Sequence, residues 1–179
     1  MHGLVSLLPQ PYYAQVEALW DELESNFGLR GIRITPYPHF SWQIGEDYPE
    51  EALVSAMQTL AYETEPLKVH AKGIETFASQ RPVAFIKVIK DPALVRLHER
   101  IWMDFLPITK GASTLYSPPL WRPHISLAYD DLTSENIEAV VTWLKTKPID
   151  WTFEVDNIAF IYEPAGEVGQ LKYKFAFQG

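Results

Sequence analysis

Pro38-His39-Phe40-Ser41-Trp42-Gln43-Ile44 and, 85 positions later, Pro123-His124-Ile125-Ser126-Leu127-Ala128-Tyr129 share one pattern: Pro, His, an apolar residue, Ser, another apolar residue. Each run is short and apolar, opens on a proline and reads as a strand. Alternation along a strand puts His39 and Ser41 on one face and Phe40 and Trp42 on the other. His124 and Ser126 separate from Ile125 and Leu127 in the same way. The same alternation assigns Gln43 to the His39 face. One copy would carry little weight, because short motifs recur by chance. Two copies that agree from the Pro through the apolar residue after the Ser are hard to assign to accident. Brought together across a groove, they supply two groups that titrate near neutrality and two hydroxyls able to hold phosphate oxygens.

The surrounding chain repeats itself in the same rhythm. Gly3 to Leu8 reads as a strand, and Pro11 opens a helix whose stripe of Val16, Leu19, Trp20, Leu23 and Phe27 ends at Gly28. The first histidine strand follows, then a helix over Pro49 to Tyr62 and a strand over Leu67 to Phe77. Pro82 to Lys90 begins a new strand. Asp91-Pro92 then starts a helix through Leu94, Leu97, Ile101 and Phe105, with Asp as cap and Pro at the first helical position. A loop over Pro107 to Pro119 leads to the second histidine strand. Thr133-Ser134-Glu135 is read as the cap of a last helix, and Trp151 to Tyr162 and Gln170 to Phe177 as closing strands. Strand, helix, histidine strand, helix, strand thus occurs twice, which predicts a duplicated unit with its two histidines facing one another.

The expected fold is α+β and bilobal: two mostly antiparallel sheets face each other across a central cleft, with helices outside. The chain is expected to form one domain over 1–179, with lobes of about 1–80 and 81–179 and the C-terminal strands crossing between them.

With 179 residues, 47% of them hydrophobic, the chain can bury a sizeable core. No apolar run approaches the roughly 20 residues that span a bilayer, and the first residues lack the basic start of a secretory signal. A cytoplasmic protein without membrane contact is expected. The absence of cysteine removes disulfides, thiolate metal sites and thiol nucleophiles together. A formal charge of -8 argues against gripping a long duplex, which relies on many Lys and Arg contacts to phosphates. A small ligand or a single RNA end suits it better, and a monomer is expected, since nothing in the composition requires a second chain.

Arg122, two residues before His124, is the first candidate for an anion contact, followed by Arg33, Arg81, Lys72 and Lys110. Tyr129 and Trp121 are candidates for stacking a base, as are Tyr116, Tyr37 and Tyr162, although each such ring serves a core equally well. His98 is read as a surface or helix-packing residue, His70 as a strand residue and His2 as part of the terminus, and none of them has a serine two places on. A zinc site built on His39, His124 and a carboxylate is a rival, but no short-spaced ligand pair such as His-Glu-x-x-His occurs.

The paired His-x-Ser strands resemble the two-histidine (2H) phosphoesterase superfamily, which includes the bacterial 2′-5′ RNA ligases and the RNA cyclic phosphodiesterases. The resemblance runs over nearly the whole chain. It implies His39 and His124 as the acid-base pair, Ser41 and Ser126 as phosphate ligands, and no metal or other cofactor. It further implies a hydrolase for a 2′,3′-cyclic phosphate or a 2′-5′ linkage at an RNA end or on a small nucleotide, with reverse ligation of such ends within the same chemistry. A non-catalytic module that binds nucleotides or RNA ends in the same cleft is the alternative, and which histidine is the base stays open.

Overall fold

Four antiparallel strands in the order β2-β1-β7-β8 make one sheet, and four in the order β5-β4-β3-β6 make a second. The computed structural model describes residues 1–179. The first sheet is built from β1 (His2–Leu7), β2 (His39–Gly45), β7 (Asn157–Tyr162) and β8 (Gln170–Ala176), and the second from β3 (Leu67–Phe77), β4 (Val83–Val88), β5 (His124–Ala128) and β6 (Asp150–Val155). Four helices, α1 (Tyr12–Phe27), α2 (Glu50–Tyr62), α3 (Pro92–Phe105) and α4 (Ile137–Leu144), complete an α+β fold of two lobes.

Local chemistry sets the helix ends. Gly28 adopts φ 72° and its N–H reaches the Glu24 carbonyl, so α1 stops where only a residue free of Cβ strain turns comfortably. The Asp91 carboxylate accepts from the N–H groups of Ala93 at 2.8 Å and Leu94 at 2.9 Å, capping α3 with Pro92 in its first turn. At α4 the expected cap differs. Asn136 Oδ1 accepts from the Thr133 N–H at 2.7 Å, folding 133–136 into a turn of its own and delaying the helix to Ile137.

The helices cross between the two halves of the sequence. α1 packs on β5 of the second sheet, whereas α3 leans on β2 of the first and on α2. Their apolar faces merge with those of both sheets into one cluster of 38 buried residues, among them Trp20, Phe40, Trp42, Ile101, Phe105 and Ile125. Each histidine strand therefore has its back in a shared core, and burial of that back fixes which face looks outward.

Two expectations of organisation change. The run Trp151 to Tyr162 is two strands that belong to different sheets and break at Asp156. Asn157 explains the switch: its side chain accepts from the Leu7 N–H at 3.0 Å and donates to the Leu7 carbonyl at 3.0 Å, docking β7 on β1. β3 pairs with β4 and β6, so the passage from one sheet to the other lies between α2 and β3 and not near residue 80.

Candidate active site

His39 and His124 line the same cavity, a cleft of about 820 Å³ between the two sheets, together with Ser41, Ser126, Arg122 and Tyr129. Both imidazoles are half-buried. Their attachment is the same: His39 Nδ1 bonds the Tyr37 carbonyl at 2.5 Å, and His124 Nδ1 bonds the Arg122 carbonyl at 2.7 Å. A carbonyl only accepts, so Nδ1 carries the proton and the neutral ring keeps its lone pair on Nε2. In each motif the carbonyl belongs to the residue before the proline. Proline biases that residue toward extended backbone, which suits this return contact.

Both histidine strands carry a bulge just after the serine. Val5 pairs with Ser41 and Leu4 with Gln43, leaving Trp42 unmatched; Phe85 pairs with Ser126 and Ala84 with Ala128, leaving Leu127 unmatched. One extra residue reverses the alternation beyond it. Trp42 and Gln43 thus both turn into the core, as do Leu127 and Ala128, while the next residues, Ile44 and Tyr129, reach the cavity.

Gln43 is accordingly not a cavity residue. It is fully buried, its Oε1 accepting from the hydroxyls of Thr109 at 2.9 Å and Tyr48 at 3.3 Å. Trp121 is also removed from the cleft. It is buried between Trp42 and His98, stacked on the latter at 3.8 Å with planes 2° apart, and its indole donates to the Ser41 carbonyl at 2.9 Å. Trp20 of α1 does the same for the Ser126 carbonyl at 3.2 Å. The two motif serines thus have equivalent backbone supports, each an indole N–H from outside the strand. His98, expected at a surface or a helix contact, is a buried helix residue that also meets the Tyr116 carbonyl at 3.0 Å.

Tyr116 and Tyr129 enter the cleft from the turn before β5 and from the end of β5. Burial pushes the Tyr116 phenol up to about 12, a rise that the Ser41 hydroxyl moderates and the neighbouring Tyr129 increases, so these three groups lie together. Phe77 was not singled out by sequence. It sits edge-on to His124 with ring centroids 4.9 Å apart and planes at 88°, and the Arg122 guanidinium lies 4.8 Å over its face. Its only signal in the sequence is an aromatic residue at the end of a strand.

Arg122 is the one Lys or Arg that lines the cavity, and Glu75 holds it at 3.1 Å. The other cations are paired elsewhere: Arg33 with Asp21, Arg81 with Asp130 at 3.4 Å, Lys72 with Asp150 at 2.5 Å and Lys110 with Asp47 at 2.9 Å. Burial drives His39 down to about 4, with His124 adding to the fall and the bond to Tyr37 opposing it. Burial likewise lowers His124, opposed by its carbonyl bond and assisted by Arg122. With both rings desolvated and His124 opposing a charge on His39, the pair holds one proton more readily than two.

A duplicated α+β fold presenting one His-x-Ser strand from each sheet to a common cleft defines a phosphoesterase of the two-histidine type. The chain belongs to the 2′-5′ RNA ligase superfamily, whose profile matches residues 10–167. A Bacillus cytotoxicus protein that carries a phosphoesterase name is 24% identical over 141 residues, 77% of each chain. Among solved structures, TT0787 of Thermus thermophilus superposes with a TM-score of 0.69 at 18% identity, covering 99% of this chain and 98% of that one. LigT of E. coli in complex with 3′-AMP gives a TM-score of 0.60 at 13% identity, covering 99% and 98%.

Proposed function

We propose that this protein is a metal-independent phosphodiesterase that opens a 2′,3′-cyclic phosphate or cleaves a 2′-5′ linkage on a small nucleotide or at an RNA end. The observation that carries this reading is the matched pair of imidazoles, each anchored through Nδ1 and each with Nε2 available to the same cavity. Displacement at phosphorus runs in line, so the proton acceptor and the proton donor belong on opposite sides of the phosphate. One neutral histidine takes a proton from water as its oxygen bonds to phosphorus. The P–O bond to the leaving oxygen breaks, and that oxygen receives a proton from the other, charged histidine. Each contribution is worth roughly 10²- to 10⁴-fold.

Ser41 and Ser126 donate to the non-bridging oxygens. With Arg122 as the single Lys or Arg in the cleft and a net charge of -8, a substrate with one or two phosphates suits this cavity better than a polynucleotide. The small nucleotide bound by the E. coli relative supports the same scale of ligand.

Purified protein in EDTA is expected to convert 2′,3′-cyclic AMP to a phosphomonoester, and His39→Ala and His124→Ala are each expected to lower kcat by at least roughly 10²-fold while far-UV circular dichroism is unchanged. Saturable binding without turnover would overturn the reading in favour of a nucleotide-binding module. Activity that vanishes in EDTA and returns with zinc would overturn it in favour of metal chemistry.

A further inference from the structure

The two sheets are equivalent in topology but present different chemistry to the cleft. On the first sheet, residues directly across from one another share a face: Leu7 opposes His39, Val5 opposes Ser41 and Ala159, and Gly3 opposes Ile44 and Ile161. Around His39 and Ser41 that face is aliphatic. Val5, Leu7, Ala159 and Ile161 form a cluster separate from the main core, with Tyr37 and Leu171 packed on it. On the second sheet the neighbours of His124 are aromatic and ionic: Phe77 and Phe85 pack on its ring, Lys87 lies opposite it, and Glu75 holds both Lys87, at 2.8 Å, and Arg122.

The turn carrying Leu115 extends the aliphatic wall. Its base is fixed where the Ser113 N–H donates to the Ile44 carbonyl at 2.8 Å, and Leu115 itself is 69% exposed. Twelve of the 22 residues lining the cavity are hydrophobic. A leucine this exposed at the mouth of a cleft whose adjoining wall is already aliphatic marks a place for an apolar group. Thr35 and Glu163, which line the cavity on the same side, are hydrogen-bonded to each other at 2.7 Å, so the surface of Val5, Ile44 and Ile161 offers a nucleobase or ribose few free partners for its polar edge. The other side offers Arg122, Phe77 and Tyr129, which suit a nucleoside.

We propose that the cleft selects an asymmetric phosphodiester, one arm a nucleoside or similar polar group on the second sheet, the other an apolar hydrocarbon arm on the first sheet and the Leu115 turn. This rests on the two-histidine displacement proposed above and goes beyond the choice between a cyclic phosphate and a 2′-5′ ester. Hydrolysis adds the oxygen of water to phosphorus, breaks the P–O bond to one arm and protonates that arm's oxygen from the charged imidazole.

The test compares the hexyl and methyl esters of adenosine 5′-phosphate, with 2′,3′-cyclic AMP as a probe of the histidine pair alone. Burying one methylene is worth roughly a factor of four in binding, so partial burial of the longer chain predicts a kcat/KM at least about tenfold higher for the hexyl ester. Leu115→Ser and Ile44→Asn are each expected to pull the hexyl-to-methyl ratio down at least about threefold, Leu115→Ser being the change least able to disturb folding. Equal rates for the two esters, cleavage of the cyclic nucleotide but of neither ester, or a ratio untouched by both substitutions would overturn the inference and leave the proposed reaction standing. Failure to cleave any of the three substrates would overturn the reaction itself.

Discussion

Changing the pH acts directly on the imidazole pair, and the outcome can be worked from the environment of each ring. Both histidines lie below the ordinary value of 6.5, chiefly because burial disfavours the charged form, and His39 reaches about 4. In the proposed displacement the reactive state holds one proton between them. That state is lost as pH rises through the pair's upper apparent pKa, which is below 6.5, and again as pH falls through the lower one. kcat/KM, which reports the free enzyme, is therefore expected to be bell-shaped with its maximum on the acid side of about 6.5. Above the upper limb it falls about tenfold per pH unit, so at roughly pH 8 it is at least about 30-fold below the maximum.

An anionic phosphate in the cleft favours both charged rings, so the alkaline limb of kcat lies at higher pH than that of kcat/KM. Removing the Arg122 guanidinium, which helps to lower His124, is expected to move the kcat/KM limb upward as well. Initial rates on a 2′,3′-cyclic nucleotide from about pH 3.5 to about pH 9 at constant ionic strength measure all three. A kcat/KM that is level between about pH 5 and about pH 8.5, or an alkaline limb centred above about 7, would refute the account of a desolvated, coupled pair.

Ser41→Ala and Ser126→Ala each remove one hydroxyl from the proposed phosphate site and are expected to lower kcat/KM roughly 10- to 100-fold without moving the thermal midpoint by more than a few degrees. Trp121→Phe deletes the indole donor to the buried Ser41 carbonyl and is expected to cost about 1–3 kcal/mol in urea denaturation, more than Trp20→Phe, whose bond is longer and less buried. Buried His98 is held neutral, its pKa pushed down by burial to about 4. As pH falls below about 6.5 the unfolded chain takes up that proton first. The stability is complete above about 6.5 and is lost toward about pH 4, by up to ~3 kcal/mol for this residue, and His98→Gln is expected to shallow the slope of urea midpoint against pH.

The motif that decides the site was readable because its chemistry and its alternation coincide: His39, Ser41, His124 and Ser126 lie on the face that strand geometry assigns them. Helix limits at Gly28 and Asp91 were equally legible, since each rests on one residue's own backbone preference. The bulges were not. Nothing in Trp42-Gln43 or Leu127-Ala128 announces an extra residue, because a bulge is set by how one strand pairs with its neighbour and not by the strand alone. The alternation expected beyond Trp42 therefore runs one step out of phase, which places Gln43 at the cleft and leaves Ile44 unremarked, while Trp42 and Leu127 lie in the core as read. Asp156 is a similar case. An apolar run on either side of it reads as one strand until the hydrogen bonds between Asn157 and Leu7 show which sheet claims the second half.

That docking of β7 on β1 has a consequence for synthesis of the chain. On the ribosome, β1 and β2 emerge among the first 45 residues and have only each other until the segment from Asn157 onward appears. A two-stranded ribbon is marginal in water. The second sheet, by contrast, draws all its strands from the unbroken stretch between Leu67 and Val155. A nascent polypeptide halted near residue 155 thus carries both histidines yet has only one finished wall, and the cleft is complete only once Asn157–Tyr162 and Gln170–Ala176 have followed.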